Sequence, residues 1–406
     1  LAARPEIRAG SAVWVHAASA GELLQAQPLL AALTAVRPRP PLVYTYTSPS
    51  AEPLLGSVLD ADLVVPLPLD TRRNAADWID AVRPRALALV DAELWPNLLR
   101  ECCRRGILRA LVSARVGPAS RRARVPWRYA YRTLLRELDV VACADADSAT
   151  RLLAIGARRE RVHVTGDLRV DATLQRAASG EPPPALPFPG DHPVVVAGST
   201  WPDDEAVLLP ALRGLRDRSL ATRLVIAPHE GGEARLSGVE RSLARWGFTA
   251  VRLSRLAAES SMAQAADAVL VDRTGQLYRL YGAANLAWVG GGFRGALHSV
   301  MEPAAFGVPV VTGPATGGSW FAGELRHAGA LFPVRHAREA EDVMGALLAS
   351  RARRDAAGAA ARAVLESYGG ATERTVAVLM GSGWLDQAGM GDPAGSTYAR
   401  SGTRSI

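Results

Sequence analysis

The chain of 406 residues contains no lysine, so its 47 basic residues are all arginine, set against 40 acidic residues for a net charge of +7. Arginine's planar fork suits phosphate and carboxylate partners, yet a Lys-free, Ala- and Arg-rich chain also reflects composition bias, so total charge assigns no partner. Cysteine is scarce: Cys102, Cys103 and Cys143 are odd in number and lack metal-site spacing, which suggests a reducing compartment and no disulfide framework. The seven histidines form no His-x-x-x-His pair and no His/Cys cluster, so no structural or catalytic metal is expected. No apolar run reaches the roughly 18 residues that a membrane span needs. Self-similarity at solenoid periods is also missing. What is present, at 49% hydrophobic and 21% charged residues, is globular usage in a chain long enough for two cores.

Short apolar runs alternate with longer helical patterns at Ala12–His16, Leu42–Thr47, Leu63–Pro66, Ala86–Val90, Ala110–Val112, Val140–Ala142 and Val162–Thr165. That rhythm predicts a parallel sheet covered on both faces. It lapses at Gly180-Glu181-Pro182-Pro183-Pro184, where successive prolines can continue neither a helix nor a sheet interior. It resumes at Val194–Ala197, Leu224–Ala227, Ala268–Val271, Leu286–Val289 and Val308–Thr312, with helical patterns near Arg338–Ser350, Ala352–Tyr368 and Thr372–Met380. The expected architecture is α/β: two doubly wound, Rossmann-like domains facing across a cleft. The expected division is 1–175, a Pro-rich linker 176–193, a second domain 194–384 and a disordered tail 385–406.

Chemistry concentrates where strands end. Trp14-Val15-His16 runs into the small-residue turn Ala17-Ala18-Ser19-Ala20-Gly21 and then Glu22, which opens an apolar-periodic helix. A carboxylate at the carboxyl end of a strand is a candidate general base. The same letters, Ser19-x-x-Glu22, also spell a capping box, and both readings stand at this point.

In the second half, Leu286–Val289 leads into Gly290-Gly291-Gly292-Phe293-Arg294-Gly295 and then His298-Ser299-Val300-Met301-Glu302-Pro303. Glycines let backbone amides approach a phosphate, and a helix beginning near His298 or Ser299 would present unpaired N–H groups to it. Glu302 in its first turn is a candidate ribose acceptor, although the helix dipole favours an acid there regardless of ligand. Gly290-x-Gly292-x-x-Gly295 fits the dinucleotide fingerprint literally, but the next strand ends in Thr312-Gly313-Pro314, without the ribose-binding acid that hydride transfer needs. A second phosphate-facing turn is Gly198-Ser199-Thr200-Trp201-Pro202-Asp203-Asp204, with Thr200 the expected N-cap.

Taken together, these segments resemble the Kdo transferase family, GT-B enzymes that move 3-deoxy-D-manno-octulosonate (Kdo) from CMP-Kdo onto a lipid A precursor. The resemblance runs from about Val13 to Leu331. It is carried by Trp14 to Glu22, Thr45-Tyr46-Thr47-Ser48, Glu93-Leu94-Trp95-Pro96-Asn97, Ser113-Ala114-Arg115, Val164 to Asp171, Gly198-Ser199-Thr200, Ile226-Ala227-Pro228-His229, Gly290-Gly291-Gly292, Glu302-Pro303 and Gly313-Pro314. It implies an inverting glycosyltransferase of lipopolysaccharide core biosynthesis with Glu22 as general base and Ser19, Gly21, Glu93 and Arg115 on the acceptor side. On the donor side it implies Ser199, Thr200, His229, Gly291, Gly292, Arg294, Ser299 and Glu302. No metal and no cofactor beyond the sugar-nucleotide substrate are implied. The chain departs from the family pattern twice. Ser299 replaces the usual Asn three residues before the ribose-binding Glu, and Pro228-His229-Glu230 replaces Pro-Arg-His. Arg294, inside the glycine loop, is the candidate substitute for the lost arginine. A transferase using another sugar nucleotide, such as a UDP-hexosamine, and a catalytically silent membrane-binding relative are the alternatives.

The densest basic segment holds Arg115, Arg121, Arg122, Arg124, Arg128, Arg132 and Arg136 interleaved with Trp127, Tyr129 and Tyr131. Arginine and aromatic side chains also bind nucleic acid. With the resemblance, the phosphates of a lipid A precursor and an anionic membrane surface become the expected partners, and no nucleic acid is expected. The expected location is the cytoplasmic face of the bacterial inner membrane, held peripherally or by an N-terminal anchor absent from this chain.

Overall fold

The computed structural model describes residues 10–58, 61–117, 120, 122, 126–188, 192–256 and 265–384. Arg121 and Arg124 of the basic segment, and the tail expected from 385, lie outside the described residues. The chain divides into two units: one runs to Ala172 and resumes at Gly370, the other spans Thr173–Gly369.

Unit one is built on strands Ala12–His16 (β1), Leu42–Tyr46 (β2), Leu63–Pro66 (β3), Pro84–Val90 (β4), Leu108–Ala114 (β5), Val140–Cys143 (β6) and Val162–Val164 (β7). All pairings are parallel, in the order β3-β2-β1-β4-β5-β6-β7. Alternate residues serve opposite faces. Trp14, Leu87, Leu89, Leu111 and Val141 enter one buried cluster with the helices Arg72–Val82, Pro96–Arg104 and Ala146–Ile155, while Val13, Val15, Tyr44, Ala88 and Val90 enter another with Ala20–Ala35. Burial on both faces is why these strands read as continuous apolar runs.

Unit two repeats the plan with Val194–Thr200 (β8), Arg223–Pro228 (β9), Ala250–Arg252 (β10), Ala268–Leu270 (β11), Leu286–Val289 (β12), Val310–Thr312 (β13) and Leu331–Pro333 (β14). The order is β10-β11-β9-β8-β12-β13-β14, again all parallel. The strands β10 and β14 were not expected. Each is three residues long at a sheet edge, too short to carry a periodic signal.

In both sheets the order reverses at one place, between β1 and β4 in unit one and between β8 and β12 in unit two. Helices on opposite faces diverge there and leave a crevice at the carboxyl ends of the strands, where ligands of such sheets bind.

The expected domain division needs correction at its C-terminal end. The helix Ala371–Gly381 belongs to unit one, not to the second domain. Asp171 holds its start, with Oδ1 accepting from the Gly370 N–H (2.9 Å) and Oδ2 from the Thr372 N–H (2.6 Å). Leu379 and Trp384 are buried in the same cluster as Val15 and Leu23. The crossing between units falls inside the helix Leu168–Ala178, ahead of the prolines. Those prolines are strapped to unit two, since Tyr278 donates to Glu181 (2.6 Å) and Arg279 to the Pro182 carbonyl (2.7 Å). Replacing Asp171 with Ala leaves two N–H groups without their carboxylate. It is expected to cost about 1–3 kcal/mol, read by urea unfolding, with faster amide exchange across 371–381.

Candidate active site

In unit one, the turn after β1 is tied down from several directions. The Ala17 N–H bonds the Thr45 carbonyl (3.1 Å), and the N–H groups of Thr47 and Ser48 bond the Ala18 carbonyl (3.1 and 2.7 Å). Beneath it, Thr45 Oγ1 lies 2.8 Å from both Trp14 Nε1 and His16 Nδ1. Burial pushes His16 down to about 4, so its imidazole is neutral.

Glu22 stands three residues into this frame. Its Oε2 accepts from the N–H groups of Ala18 (2.6 Å) and Ser19 (3.2 Å), so the capping box closes and occupies one carboxylate oxygen. The carboxylate nevertheless has a raised pKa, chiefly from burial and further from the charges of Glu93 and Asp91, against the lowering by the two N–H bonds. The switch between β1 and β4 therefore brings Glu22, Asp91 and Glu93 into one electrostatic group. Asp91 and Glu93 are likewise raised by burial, with Arg122 opposing both and Arg115 opposing the first. Tyr131 of the helix Trp127–Glu137 donates to the Ala92 carbonyl (2.8 Å) between the two acids.

Of the residues expected on the acceptor side, Ser19 contributes its backbone to the cap, and Gly21 is exposed with open space where a Cβ would stand. Glu93 sits in the group, and Arg115 reaches it while lying 3.6 Å from Asp167. Sequence reasoning missed Asp91 as a member. It has left-handed backbone (φ 63°), a conformation that non-glycine residues rarely take outside constrained sites. Its place two residues before Glu93 was the available signal.

In unit two, Asp204 plays the part that Glu22 plays in unit one. Its Oδ2 accepts from the Trp201 N–H (2.9 Å) and the Gly291 N–H (3.0 Å), clamping the loop after β8 to the loop after β12. Burial raises its pKa, and those N–H bonds oppose the rise. This clamp corrects two expectations. The N–H of Gly291 serves Asp204 rather than standing free for a phosphate. The glycines answer backbone crowding instead: a Cβ on Gly290 would lie 2.1 Å from the Ser199 carbonyl oxygen, and one on Gly292 2.6 Å from the Gly313 nitrogen. Thr200, expected as an N-cap, is the last residue of β8. It is fully buried, and its hydroxyl donates to Glu205 (2.8 Å), which pairs with Arg235, while Trp201 takes the cap position.

Around the clamp, the rings of Trp201 and His229 lie 4.7 Å apart and those of His229 and His298 4.3 Å apart. Trp201 Nε1 donates to His298 Nε2 (3.1 Å), so that nitrogen carries no proton, and burial with the nearby His229 lowers the His298 pKa. His298 was not among the expected ligands, although its position just after the glycine loop pointed to it. Arg294 lies over the Trp201 ring (4.6 Å), and its Nε bonds Asp203 (2.8 Å), so it is already held by an acid. The helix expected near His298 or Ser299 begins at Met301, with Val300 at its cap, and has five residues; Ser199 (φ 52°) is half-buried and Ser299 exposed. Glu302 is raised by burial and opposed by Arg176, whose Nη1 lies 3.4 Å from it. Among the described residues, no group of three His, Cys, Asp or Glu is placed to hold a metal ion.

Two seven-stranded doubly wound units, each with a switch point in its strand order, define a protein of the GT-B fold class. The crystal structure of a UDP-N-acetylglucosamine 2-epimerase from Listeria monocytogenes superposes with a TM-score of 0.67, at 16% identity, covering 93% of this chain and 98% of that one; the likeness is one of fold. A family model described as 3-deoxy-D-manno-octulosonic-acid transferase (kdotransferase) matches residues 2–172. The 3-deoxy-D-manno-octulosonic acid transferase of Bordetella pertussis is 32% identical over 385 residues, covering 92% of this chain and 87% of that protein. The transferase of the same name from Haemophilus influenzae is 27% identical over 376 residues, covering 90% and 86%. The chain belongs to the Kdo transferase family of glycosyltransferases.

Because the folded-state pKa of Glu22 is raised, wild-type protein loses stability as pH rises from the unfolded-state value through the folded one. Glutamine keeps the capping acceptor and removes the charge, so Glu22→Gln should melt at or above the wild-type temperature at pH 7, and the difference should vanish near pH 4. Asp204→Ala strips the partner from two N–H groups, so a loss of about 2–4 kcal/mol is expected by denaturant unfolding, with faster exchange at 290–296.

Proposed function

We propose that this chain transfers Kdo from CMP-Kdo to a lipid A precursor of the lipid IVA type, inverting the anomeric carbon, with Glu22 as general base. The carrying observation is Glu22 itself: a carboxylate fixed by two backbone N–H groups at the switch point, made more basic by burial and by Asp91 and Glu93. When ionised it takes the proton of the acceptor hydroxyl as that oxygen attacks, while CMP leaves with the bonding electrons. Glu93 and Arg115 orient the acceptor from the same strand ends. The stack of Trp201, His229 and His298, flanked by the Arg294 guanidinium, suits a nucleoside monophosphate, offering aromatic faces to a base and one cation to a phosphate. In this reading Ser199, Ser299 and the glycine-loop backbone other than the engaged Gly291 N–H face the donor, and Glu302, released from Arg176, accepts from ribose hydroxyls. CMP-Kdo is a substrate in this scheme, and neither cofactor nor metal takes part.

The acceptor is a membrane lipid, so the working place proposed is the cytoplasmic face of the bacterial inner membrane. No described helix is long and apolar enough to cross a membrane. Trp127 and Tyr129, 62% and 66% exposed on an arginine-rich helix, support peripheral contact with an anionic surface.

The test compares CMP release by wild type and Glu22→Gln with CMP-Kdo and a tetraacylated lipid A precursor, with UDP-N-acetylglucosamine as a control donor. The expected result is turnover of CMP-Kdo alone and a loss on the order of 10²–10⁴-fold in the variant, with a melting temperature no lower than that of wild type. Equal turnover in both proteins reduces Glu22 to a helix cap, and release of UDP alone overturns the donor.

A further inference from the structure

At the amino ends of β5, β6 and β7, unit one opens a concavity of about 590 Å³ lined by Arg109, Arg132, Arg136, Arg158 and Arg161, with Tyr129 on its wall. Arg109 is the second residue of β5, and Arg161 directly precedes β7. Glu22, Asp91 and Glu93 follow the carboxyl ends of their strands, on the opposite edge of the sheet. The seven residues of β5 alone put roughly 20 Å between the two edges. The pocket is therefore separate from the candidate active site.

Its charge is not balanced from within. Two carboxylates face the five arginines. Asp139 is taken up by Arg109 (2.7 Å) and Arg161 (3.1 Å), and Glu137 is half-buried with its pKa raised. Arg132, Arg136 and Arg158 are exposed and form no ion pair among the described residues. Arg109 is 8% exposed; apart from Asp139 its guanidinium meets the Cys103 thiol, a weak partner, and its Nη1 is buried without an oxygen to bond. A buried guanidinium N–H left open is costly, and an anionic oxygen is the partner it fits best. The Arg132 stem lies across Gly156, where a Cβ would come within 2.6 Å of it, so this arginine is positioned rather than free to sweep the solvent.

We propose that this pocket binds the phosphate group of an anionic headgroup, with Arg109 at its floor and Arg132, Arg136 and Arg158 around its mouth. The phosphate comes from a membrane phospholipid or from a soluble phosphate ester. The lipid source rests on the peripheral attachment proposed above, whereas the pocket's affinity for phosphate does not.

The experiment measures co-sedimentation of the full chain with phosphatidylglycerol vesicles and with phosphatidylcholine vesicles at low salt. In parallel, inorganic phosphate and glycerol 3-phosphate are titrated calorimetrically. The proteins are wild type, Arg132→Gln/Arg158→Gln, and Arg338→Gln/Arg353→Gln, which removes the same charge from exposed positions on unit two. A lipid source predicts binding to phosphatidylglycerol alone, weakened about 20- to 30-fold in the pocket pair at roughly fivefold per arginine, and changed less than about twofold in the control pair. A soluble source predicts heat with the phosphates that the pocket pair abolishes and the control pair keeps, with vesicle binding equal in all three. Either pattern supports the pocket. Equal losses in the two pairs, or no binding of any probe, overturn it. Glu22→Gln should bind as wild type does, and the pocket pair should still release CMP with detergent-dispersed acceptor, so failure here is distinguishable from failure of the transfer reading.

Discussion

The candidate active site depends on two strand pairings between segments far apart in the chain: β1 beside β4, with His16 opposite Leu89, and β8 beside β12, with Val289 opposite Gly198. Parallel strands need crossover connections, and a reversal of their order leaves one crevice uncovered in each sheet. The pairing of β1 with β4 sets Glu22 near Asp91 and Glu93. That of β8 with β12 brings Asp204 within reach of Gly291. Shifting either register would separate these groups while leaving the local helices and strands intact.

Each unit solves the same local problem with the same device. A helix that starts at the end of a strand exposes N–H groups, and an acid at its third position accepts them. In unit two Asp204 spends this capacity on structure, joining two loops and occupying an amide that a phosphate would otherwise meet. In unit one both bonds to Glu22 fall on Oε2, while neighbouring carboxylates press its pKa upward. Cap and base are thus compatible roles: the cap orients the carboxylate, and burial with like charge gives it basicity.

Position within a strand also separates two kinds of arginine. Arg115, just past the carboxyl end of β5, belongs to the carboxylate group of the site, whereas Arg109, near the amino end of the same strand, floors the basic pocket. The arginine-rich segment that reads as one patch in the sequence is distributed by folding. Arg122 lies over Tyr131, Arg128 bonds the Ala154 carbonyl, and Arg132 and Arg136 line the pocket.

The sequence by itself determined the α/β class, twelve of the fourteen strands to within a few residues, and the strand-end placement of Glu22, Glu93 and the glycine loop. Apolar runs, turn glycines and capping acids are local signals written over a few neighbours, so they survive without a structure. Partnership is not local. The return of Ala371–Gly381 to unit one rests on Asp171, 200 residues away from the helix start. The use of the Gly291 amide rests on Asp204, and the neutral stacking of His298 rests on Trp201 and His229. Burial, unpaired donors and the sharing of charge among acids arise only when distant segments exclude water together. Tertiary structure therefore decided which candidate ligands are already engaged, which are exposed, and where an unbalanced cluster of arginines remains.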